Sequence, residues 1–326
     1  MTEASAPSKI ILCGEHAVVY SRPAIALPLS GVRAHAVVQN AAAGSGITFD
    51  APDLGQRWAL AEAPDQPLSE LVVRVLDQLG ATPALDLQIS MVSTIPIAGG
   101  MGSGAAIATA IVRALAAHLG QELPAETISA LVYASEQRFH GTPSGIDNTV
   151  VAFERPIWFV RQPSLYGGPS VAAIEPITIA EPFTLLIGDT GVRSPTRLPV
   201  GEVRQRWQAS PAHYEVLFDA VGALVLQVRR ALAQGDLPAL GALLDANQAL
   251  LERIGVSSAE LGQLVTAARV AGALGAKLSG AGWGGVMLAL VAPAARERVA
   301  AALQAAGAVR VLETTVERYI APAPAS

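Results

Sequence analysis

The sequence predicts an α+β protein with two lobes. Strand-like and helix-like segments are mixed along its 326 residues without the strict alternation of a doubly wound parallel sheet. This length is enough for one large domain or two modest ones. From about Pro182 the chain changes to long helical patterns, so we place the boundary near 170–182 and divide the chain into residues 1–175 and 176–326.

The N-terminal half begins with β-rich sequence and then alternates helices with strands. Strands are predicted at "KIILCGE", "PAIALPL", "RAHAVVQN" and "GITFD". "SELVVRVLDQLG" has the pattern of an amphipathic helix ended by Gly80, and "LDLQISM" alternates like a half-buried strand. Further helices are expected from about residue 105 to 118 and over "ETISALVYASEQRF", followed by a loop at "GTPSGID" and a strand at "TVVAFERPIWFV".

The C-terminal half is predicted to be a small sheet accompanied by long helices. "FTLLIGDTG" reads as a strand and loop, and three helical patterns follow near 212–234, 236–253 and 258–273. The chain then passes through "KLSGAGWGG", the strand "VMLALV", the helix "PAARERVAAALQAAG" and a last strand, "VRVLETTVE".

Composition excludes several classes of protein. Hydrophobic residues make up 51% of the chain and charged residues 15%, which argues against intrinsic disorder. The single cysteine, Cys13, excludes internal disulfides and a zinc site of several thiolates. A net charge of −5 without a basic block argues against nucleic-acid binding. With no signal-peptide pattern and no apolar run that would span a bilayer, we expect a cytoplasmic protein.

The chain uses lysine only twice, at Lys9 and Lys277, and every other strongly basic side chain is arginine. A high-GC genome explains an arginine bias but not the positions of the two lysines, for which chance is the alternative. Both lysines nevertheless lie in segments that carry other unusual residues. Arginine cannot act as a compact ammonium of adjustable pKa, so these two positions are candidates for chemistry.

Residues 96–106, "PIAGGMGSGAA", form a glycine-rich loop between a predicted strand and a predicted helix. Glycines allow the backbone to approach an anion, and a helix N-terminus offers N–H groups and a partial positive charge. The loop lacks the Lys-Ser/Thr pair of a Walker A motif, and no acidic residue follows at the spacing of a dinucleotide fingerprint. Alone it predicts a phosphate loop or a close-packed corner equally well.

Other segments carry candidate catalytic groups. Glu136 ends a predicted helix and Asp147 follows eleven residues later, so the two carboxylates could converge on one ion and one hydroxyl, although a turn-capping Asp147 is as plausible. Glu15 and His16 follow the strand that begins at Lys9, where solvated polar groups are the simpler interpretation. "KLSGAGWGGVMLAL" is a second glycine loop or a glycine-bulged hairpin.

Taken together, these segments resemble the GHMP small-molecule kinases. "SKIILCGEHAVVYSRPAIA", "PIAGGMGSGAA" and "KLSGAGWGGV" look like the three motifs of that superfamily, in order, and the resemblance covers nearly the whole chain. Within it, "GEHAVVY", "HGTPSGIDN", "IGDTGVRSPT" and "LLDANQALLERIGVSSAEL" look most like mevalonate kinases. The resemblance implies a ribosomal protein S5 domain 2-like N-terminal lobe and a ferredoxin-like C-terminal lobe, with ATP and mevalonate in a cleft between them.

The resemblance also implies a reaction and the residues for it. ATP, with Mg²⁺, would phosphorylate the C5 hydroxyl of mevalonate; Asp147 would be the general base and Lys9 its cationic partner. Glu136 and Ser103 would bind Mg²⁺. The remaining implied positions form three groups: the ATP loop, the mevalonate pocket and the loop that closes the site. They are Gly99, Gly100, Met101, Gly102, Ser103, Gly104 and Ala105; Glu15, His16, Asp189 and Thr190; and Gly280, Ala281 and Gly282.

The chain departs from the family pattern at three positions. Gly104 replaces a serine whose hydroxyl contributes to Mg²⁺ binding, and Ala98 replaces a common glycine. Trp283 interrupts a run of glycines, where a large aromatic ring either points away from the site or covers it. Because Mg²⁺ keeps its waters readily, we expect a water in place of the hydroxyl missing at Gly104.

Two other functions compete with a mevalonate 5-kinase. One is a related enzyme acting on phosphomevalonate or the mevalonate 3-hydroxyl, or a related decarboxylase; a phosphorylated substrate calls for extra basic groups, for which Arg193 and Arg197 are the candidates. The other is a non-catalytic sensor with the same fold, which the joint presence of Lys9, Glu136 and Asp147 argues against. The family often dimerises, so a homodimer is compatible with the sequence; no nucleic-acid or membrane partner is expected.

Overall fold

The computed structural model describes residues 1–96, 99–140, 144–162 and 171–322, and these form two compact units. The first unit contains Met1–Lys9, Pro28–Pro96 and Gly102–Glu154. The second contains Ile10–Leu27, Ile97–Met101 and Arg155–Ser326. Two N-terminal segments, Ile10–Leu27 and Ile97–Met101, therefore belong to the same unit as the C-terminal part of the chain.

The sheet of the first unit is built from alternating sequence. Its strands are β1 (Thr2–Cys13), β2 (Pro23–Asn40), β3 (Ile47–Ala51), β4 (Gln56–Ala59) and β5 (Leu87–Ser93). The portion of β2 from Ala34 to Asn40 pairs with β5 in antiparallel register, β3 is parallel to β5, and β4 is antiparallel to β3. In β5 the side chains of Leu87, Ile89 and Met91 are buried while the residues between them are partly exposed, as the alternation predicts.

The helices of the first unit are α1 (Pro67–Gln78), α2 (Ser103–His118), α3 (Ala125–His140) and α4 (Ile146–Phe153). Helix α2 packs against the other three and is rich in buried alanine, whose small side chain permits close helix approach. Helix α4 begins after Gly145, which has a φ of 89°. Asn148 anchors α4 to α3, because its Nδ2 donates to the carbonyl and hydroxyl oxygens of Ser129 at 3.1 and 2.8 Å.

The second unit has its own strand pairings. Residues Pro23–Ala26 of β2 pair with β6 (Ile157–Gln162), which pairs with β7 (Val171–Pro176), both antiparallel. A separate antiparallel sheet has the order β11-β8-β10-β9, where β8 is Phe183–Asp189, β9 is Gly275–Ser279, β10 is Val286–Val291 and β11 is Arg310–Val316.

The helices of the second unit complete a split β-α-β pattern around that sheet. They are α5 (Arg197–Ala209), α6 (Pro211–Gln234), α7 (Leu237–Ile254) and α8 (Ala259–Val270) between β8 and β9, and α9 (Arg296–Ala305) between β10 and β11. Numbered within this sheet, the strand order is 4-1-3-2, which is the ferredoxin-like arrangement. The α+β class and the ferredoxin-like C-terminal sheet are therefore confirmed.

The local structure differs from the sequence predictions in three ways. The predicted strand "TVVAFERPIWFV" is divided, because residues 149–153 complete α4 and only the part from Ile157 is extended. The strands expected at "PAIALPL" and "RAHAVVQN" are one continuous strand, β2. Helix α5 and strand β4 were not expected. Among the described residues, no helix is long and apolar enough to cross a membrane.

Candidate active site

Lys9 and Asp147 form an ion pair in the first unit. Lys9 Nζ lies 3.0 Å from Asp147 Oδ1. The Lys9 side chain is 4% exposed and that of Asp147 is 31% exposed, so the carboxylate is open to solvent while its cationic partner is buried. Asp147 lies in the first turn of α4, where the helix dipole favours a negative charge. It therefore belongs to a helix, and not to the loop expected from the sequence.

Glu136 adds a second carboxylate to this cluster. It lies on α3 and is buried, with 5% of its surface exposed. Burial, and then the negative charge of Asp147, raise the pKa of Glu136 to about 7, against the opposing effect of Lys9. Glu136 and Asp147 place two carboxylates near the single ammonium of Lys9. A divalent cation bound there would reduce the repulsion between the two carboxylates.

Two glycines in the second part of the first loop, Gly102 and Gly104, lie close to these side chains. A Cβ at Gly102 would lie 2.9 Å from Lys9 Cγ, and φ is 72° there, so both the space and the conformation require glycine. A Cβ at Gly104 would lie 3.0 Å from Glu136 Oε1. Helix α2 begins at Ser103, and no side chain of the described residues caps it through a hydrogen bond.

The first part of the loop belongs to the second unit, where it meets the second glycine loop. A Cβ at Gly285 would lie 2.9 Å from the carbonyl oxygen of Gly99, and one at Gly280 would lie 3.8 Å from Gly100 Cα. At Gly282 a Cβ would be 1.5 Å from the carbonyl oxygen of Val256, which no side chain can tolerate. The two glycine loops therefore pack backbone against backbone.

Glu15 is engaged by a lysine. Its carboxylate forms an ion pair with Lys277 of β9, and the side chains are 1% and 0% exposed. Its neighbour His16 is also buried, and His16 Nε2 donates to the carbonyl oxygen of Ala281 at 3.0 Å. Burial lowers the pKa of His16 to about 4, so the imidazole is neutral at physiological pH.

Asp189 and Thr190, at the end of β8, are both buried. Asp189 accepts two hydrogen bonds from the Arg193 guanidinium, at 3.0 and 3.1 Å. The Thr190 hydroxyl donates to the carbonyl oxygen of Gly285 at 2.8 Å, and its backbone N–H donates to the same oxygen. Thr190 therefore holds the second glycine loop to the end of β8.

The remaining expected positions have less specific surroundings. Met101 and Ala105 are buried, whereas Ser103, Ala281 and Trp283 are partly exposed. Ala98 lies outside the described residues, as does the segment 141–143 of the motif before Asp147. No specific role was expected for Lys277 or Gly285; the scarcity of lysine was the one signal that pointed to Lys277.

The residues of the first unit fit a magnesium ion better than a softer metal. Within the described part of the chain, no group of three or more His, Cys, Asp and Glu side chains could hold a metal ion by itself. Mg²⁺ commonly uses one or two carboxylates and completes its octahedral shell with phosphate oxygens and waters. Glu136 and Asp147, with the hydroxyl of Ser103 at the start of α2, are donors of that kind.

Family models match both halves of the chain. The GHMP kinases N terminal domain matches residues 69–155 and the GHMP kinases C terminal domain matches residues 228–309. The chain belongs to the GHMP kinase family. The N-terminal match covers Ser103, Glu136 and Asp147, so the carboxylate cluster lies largely in the part that the family shares.

Two relatives of this GHMP kinase are both named mevalonate kinase. The chain is 34% identical to a mevalonate kinase of Pyrococcus horikoshii, with 97% of this chain and 95% of the relative covered. It is also 34% identical to a mevalonate kinase of Aeropyrum pernix, with 88% and 87% covered.

Solved structures agree with the fold. A crystal structure of L. major mevalonate kinase in complex with R-mevalonate has a TM-score of 0.82 and 30% identity, covering 98% of this chain and 96% of that one. A Streptococcus pneumoniae phosphomevalonate kinase matches with a TM-score of 0.81 at 16% identity, covering 96% and 100%. The fold alone therefore does not select the substrate.

Proposed function

We propose that this GHMP kinase transfers the γ-phosphoryl group of ATP to the C5 hydroxyl of mevalonate. The observation that carries the proposal is the Lys9–Asp147 pair at 3.0 Å, with a buried ammonium and a solvent-accessible carboxylate. Relatives named mevalonate kinase, more than 30% identical over most of the chain, support the choice of substrate. We further propose that the enzyme is cytoplasmic and that any oligomer it forms is a homodimer.

Asp147 acts as the general base in this proposal. Its carboxylate accepts the proton of the C5 hydroxyl while that oxygen bonds to the γ-phosphorus and the bond from phosphorus to the β–γ bridging oxygen breaks, releasing ADP. General-base assistance of this kind contributes about 10²–10⁴-fold to a rate. The ammonium of Lys9, held beside Asp147, stabilises the negative charge that develops on the substrate oxygen.

The glycine loop binds the nucleotide. In this proposal the loop from Gly99 to Ala105, in which Met101 and Ala105 are buried, binds the triphosphate through backbone N–H groups, and the Ser103 hydroxyl adds a donor. The αL conformation of Gly102 and the uncapped start of α2 support this role. Glu136 and Ser103 would hold Mg²⁺, which supplies charge neutralisation at the phosphates.

Mevalonate binds, in this proposal, to the positions around the turn at residues 15–16 and the end of β8. His16, Asp189 and Thr190 line the pocket together with Glu15, and Gly280, Ala281 and Gly282 close over it. Arg193 was one of the two candidates for binding the phosphate of the competing substrate, phosphomevalonate. Its guanidinium is paired with buried Asp189, which leaves it less able to neutralise the phosphate of phosphomevalonate.

The test is ATP turnover against mevalonate, 5-phosphomevalonate, galactose and homoserine, with the product identified by ³¹P and ¹H NMR. We expect turnover with mevalonate and phosphate on the C5 oxygen. Phosphate on the 3-hydroxyl, or preference for 5-phosphomevalonate, would replace the proposed function by its nearest competitor. ATP binding without turnover of any of the four would favour a non-catalytic sensor.

A further inference from the structure

Lys277 is a buried charge that the proposed chemistry does not use. It lies on β9 and is 0% exposed, which is rare for a lysine that is not paired. Its Nζ donates to the Glu15 carboxylate and to the carbonyl oxygen of Leu278. The ion pair joins residues that are 262 positions apart in the sequence, so it fixes one segment of the second unit to another.

The segment that Lys277 reaches is an unusual turn. Gly14 has a φ of 106°, and a Cβ there would lie 2.6 Å from the carbonyl oxygen of Pro23. His16 has a φ of 59°, a conformation that costs energy in a residue other than glycine. Such a conformation persists only where its surroundings impose it, and strained positions of this kind cluster at functional sites.

Two further pairs of residues join the same two segments. The hydroxyl of Ser279 accepts from the Ile11 N–H at 3.2 Å and donates to the Ile11 carbonyl oxygen at 3.0 Å. Beyond the pair, His16 Nε2 donates to the carbonyl oxygen of Ala281 in the second glycine loop. The Glu15–Lys277 pair is therefore accompanied by other contacts between residues 11–16 and 277–281.

We propose that Lys277 is a positioning residue, whose ion pair with Glu15 holds the Gly14–His16 turn against the second glycine loop. In this arrangement Glu15 acts through Lys277 and does not bind the substrate itself; His16 is the side chain of the turn that meets mevalonate. The inference rests on the proposed function for its substrate, and it changes one role within it, because Glu15 was expected to line the pocket.

The hydrogen bond of His16 shows what the positioning achieves. A carbonyl oxygen can only accept, so Nε2 carries the proton and Nδ1 carries the lone pair of the neutral ring. The hydrogen bond to Ala281 therefore selects one tautomer and leaves Nδ1 as an acceptor for a substrate hydroxyl. If the Glu15–Lys277 pair is broken, the turn should relax and this selection should be lost.

A double-mutant cycle of Lys277→Met and Glu15→Gln tests the proposal through KM and kcat for mevalonate. We expect Lys277→Met to raise KM by about tenfold with a smaller change in kcat, and the double variant to be no worse than the more affected single variant. The double variant should also recover much of the melting temperature lost in Lys277→Met, because no buried charge is left unpaired. Effects on KM that multiply in the double variant would overturn the proposal, since Glu15 would then act on the substrate independently.

If Lys277→Met alone does not fold, the double variant is compared with Glu15→Gln. Equal KM values support the positioning role, and a higher KM in the double variant contradicts it. Arg269→Met is the matched control. Arg269 donates to Asp245 at 2.7 Å and to the carbonyl oxygen of Ala276 at 2.8 Å, so its loss should lower the melting temperature and leave KM unchanged.

A second readout does not depend on turnover. In ¹⁵N-labelled protein, the Nε2–H signal of His16 is assigned by its absence from a His16→Gln variant. We expect it to be protected from exchange in the native chain and in Arg269→Met, and to be lost in Lys277→Met. An unchanged signal in folded Lys277→Met would overturn the positioning role. If mevalonate is not turned over at all, the proposed function fails while this measurement still decides the role of Lys277.

Discussion

The two lysines of this chain form the same kind of ion pair in two different environments. In the first unit, the carboxylate of Asp147 is 31% exposed beside a Lys9 side chain that is 4% exposed. In the second unit, Glu15 and Lys277 are 1% and 0% exposed. The Asp147 carboxylate reaches solvent and can meet a substrate hydroxyl, whereas in our proposal the Glu15 carboxylate, enclosed with Lys277, acts through the chain around it. Exposure therefore distinguishes the pair that we propose to react from the pair that we propose to be structural.

The neighbours of the two pairs differ in charge as well. Glu136 brings a second carboxylate to Lys9 and Asp147, and its pKa is raised to about 7 by burial and by Asp147. Next to Glu15 lies the buried thiol of Cys13, whose pKa is raised by burial and by Glu15, so that it stays neutral. The first cluster has an excess of negative charge that suits a cation, while the second pair balances its own charges.

The largest effect is expected at the exposed carboxylate. Asp147→Asn keeps the shape of the side chain but removes the base, so kcat should fall by at least about 10²-fold while ATP still binds. Steady-state turnover with mevalonate, together with ATP binding measured by calorimetry, checks both parts. Turnover close to that of the native chain would show that Asp147 is not the base. The Lys9–Asp147 pair would then be structural, like the Glu15–Lys277 pair.

The buried turn of the second unit should respond to pH. The folded pKa of His16 is about 4 against an ordinary value of 6.5, so between these values the unfolded chain binds a proton that the folded chain does not. Stability from this group is therefore complete above pH 6.5 and is lost as pH falls toward 4. The expected loss in free energy of unfolding is about 2 kcal/mol between pH 7 and pH 5.

Urea unfolding at the two pH values measures this effect, with His16→Gln as the variant that should lack it. His213, which is exposed at the start of α6, provides the control, since His213→Gln should keep the pH dependence of the native chain. If the free energy of unfolding changes equally between the two pH values in the native chain and in His16→Gln, His16 is not held neutral in the second unit.

The residue types of the site could be predicted from the sequence, but its contacts could not. The glycine loops, Asp147 and Lys9 stand out in the sequence because the chemistry proposed for them requires those residue types. The Glu15–Lys277 pair joins segments 262 positions apart, and no local pattern encodes such a contact. Helix α4 was missed for a local reason: Thr149, Val150 and Val151 favour a strand, but the αL conformation of Gly145 begins a helix that packs on α3.

A smaller effect is expected at Gly102. Comparison with Gly120 distinguishes the effect of limited space from that of the backbone conformation. Gly102 and Gly120 have φ values of 72° and 73°, but a Cβ at Gly120 would meet nothing within 4 Å, whereas one at Gly102 would meet Lys9. Both alanine variants should lose about 1 kcal/mol of stability from the left-handed conformation. Gly102→Ala should in addition lower kcat by displacing Lys9 from Asp147. Loss of activity in Gly120→Ala, or full activity in Gly102→Ala, would contradict a role for the packing of Lys9.

The smallest effect is expected at Gly104, where the family has a serine. A Cβ there would lie 3.0 Å from Glu136 Oε1, so the carboxylate must move by a few tenths of an ångström, which the end of a flexible side chain can do. Gly104→Ala should therefore fold, with up to about 1 kcal/mol gained from helix propensity, and should need somewhat more Mg²⁺ for half-maximal activity. Gly104→Ser imposes the same displacement but returns a hydroxyl ligand, so its Mg²⁺ requirement should fall below that of Gly104→Ala with activity retained. Titration of activity with Mg²⁺ in the three proteins decides the point: if Gly104→Ser is inactive while Gly104→Ala is active, the hydroxyl does not face the metal, and the absence of a side chain at this position serves Glu136 alone.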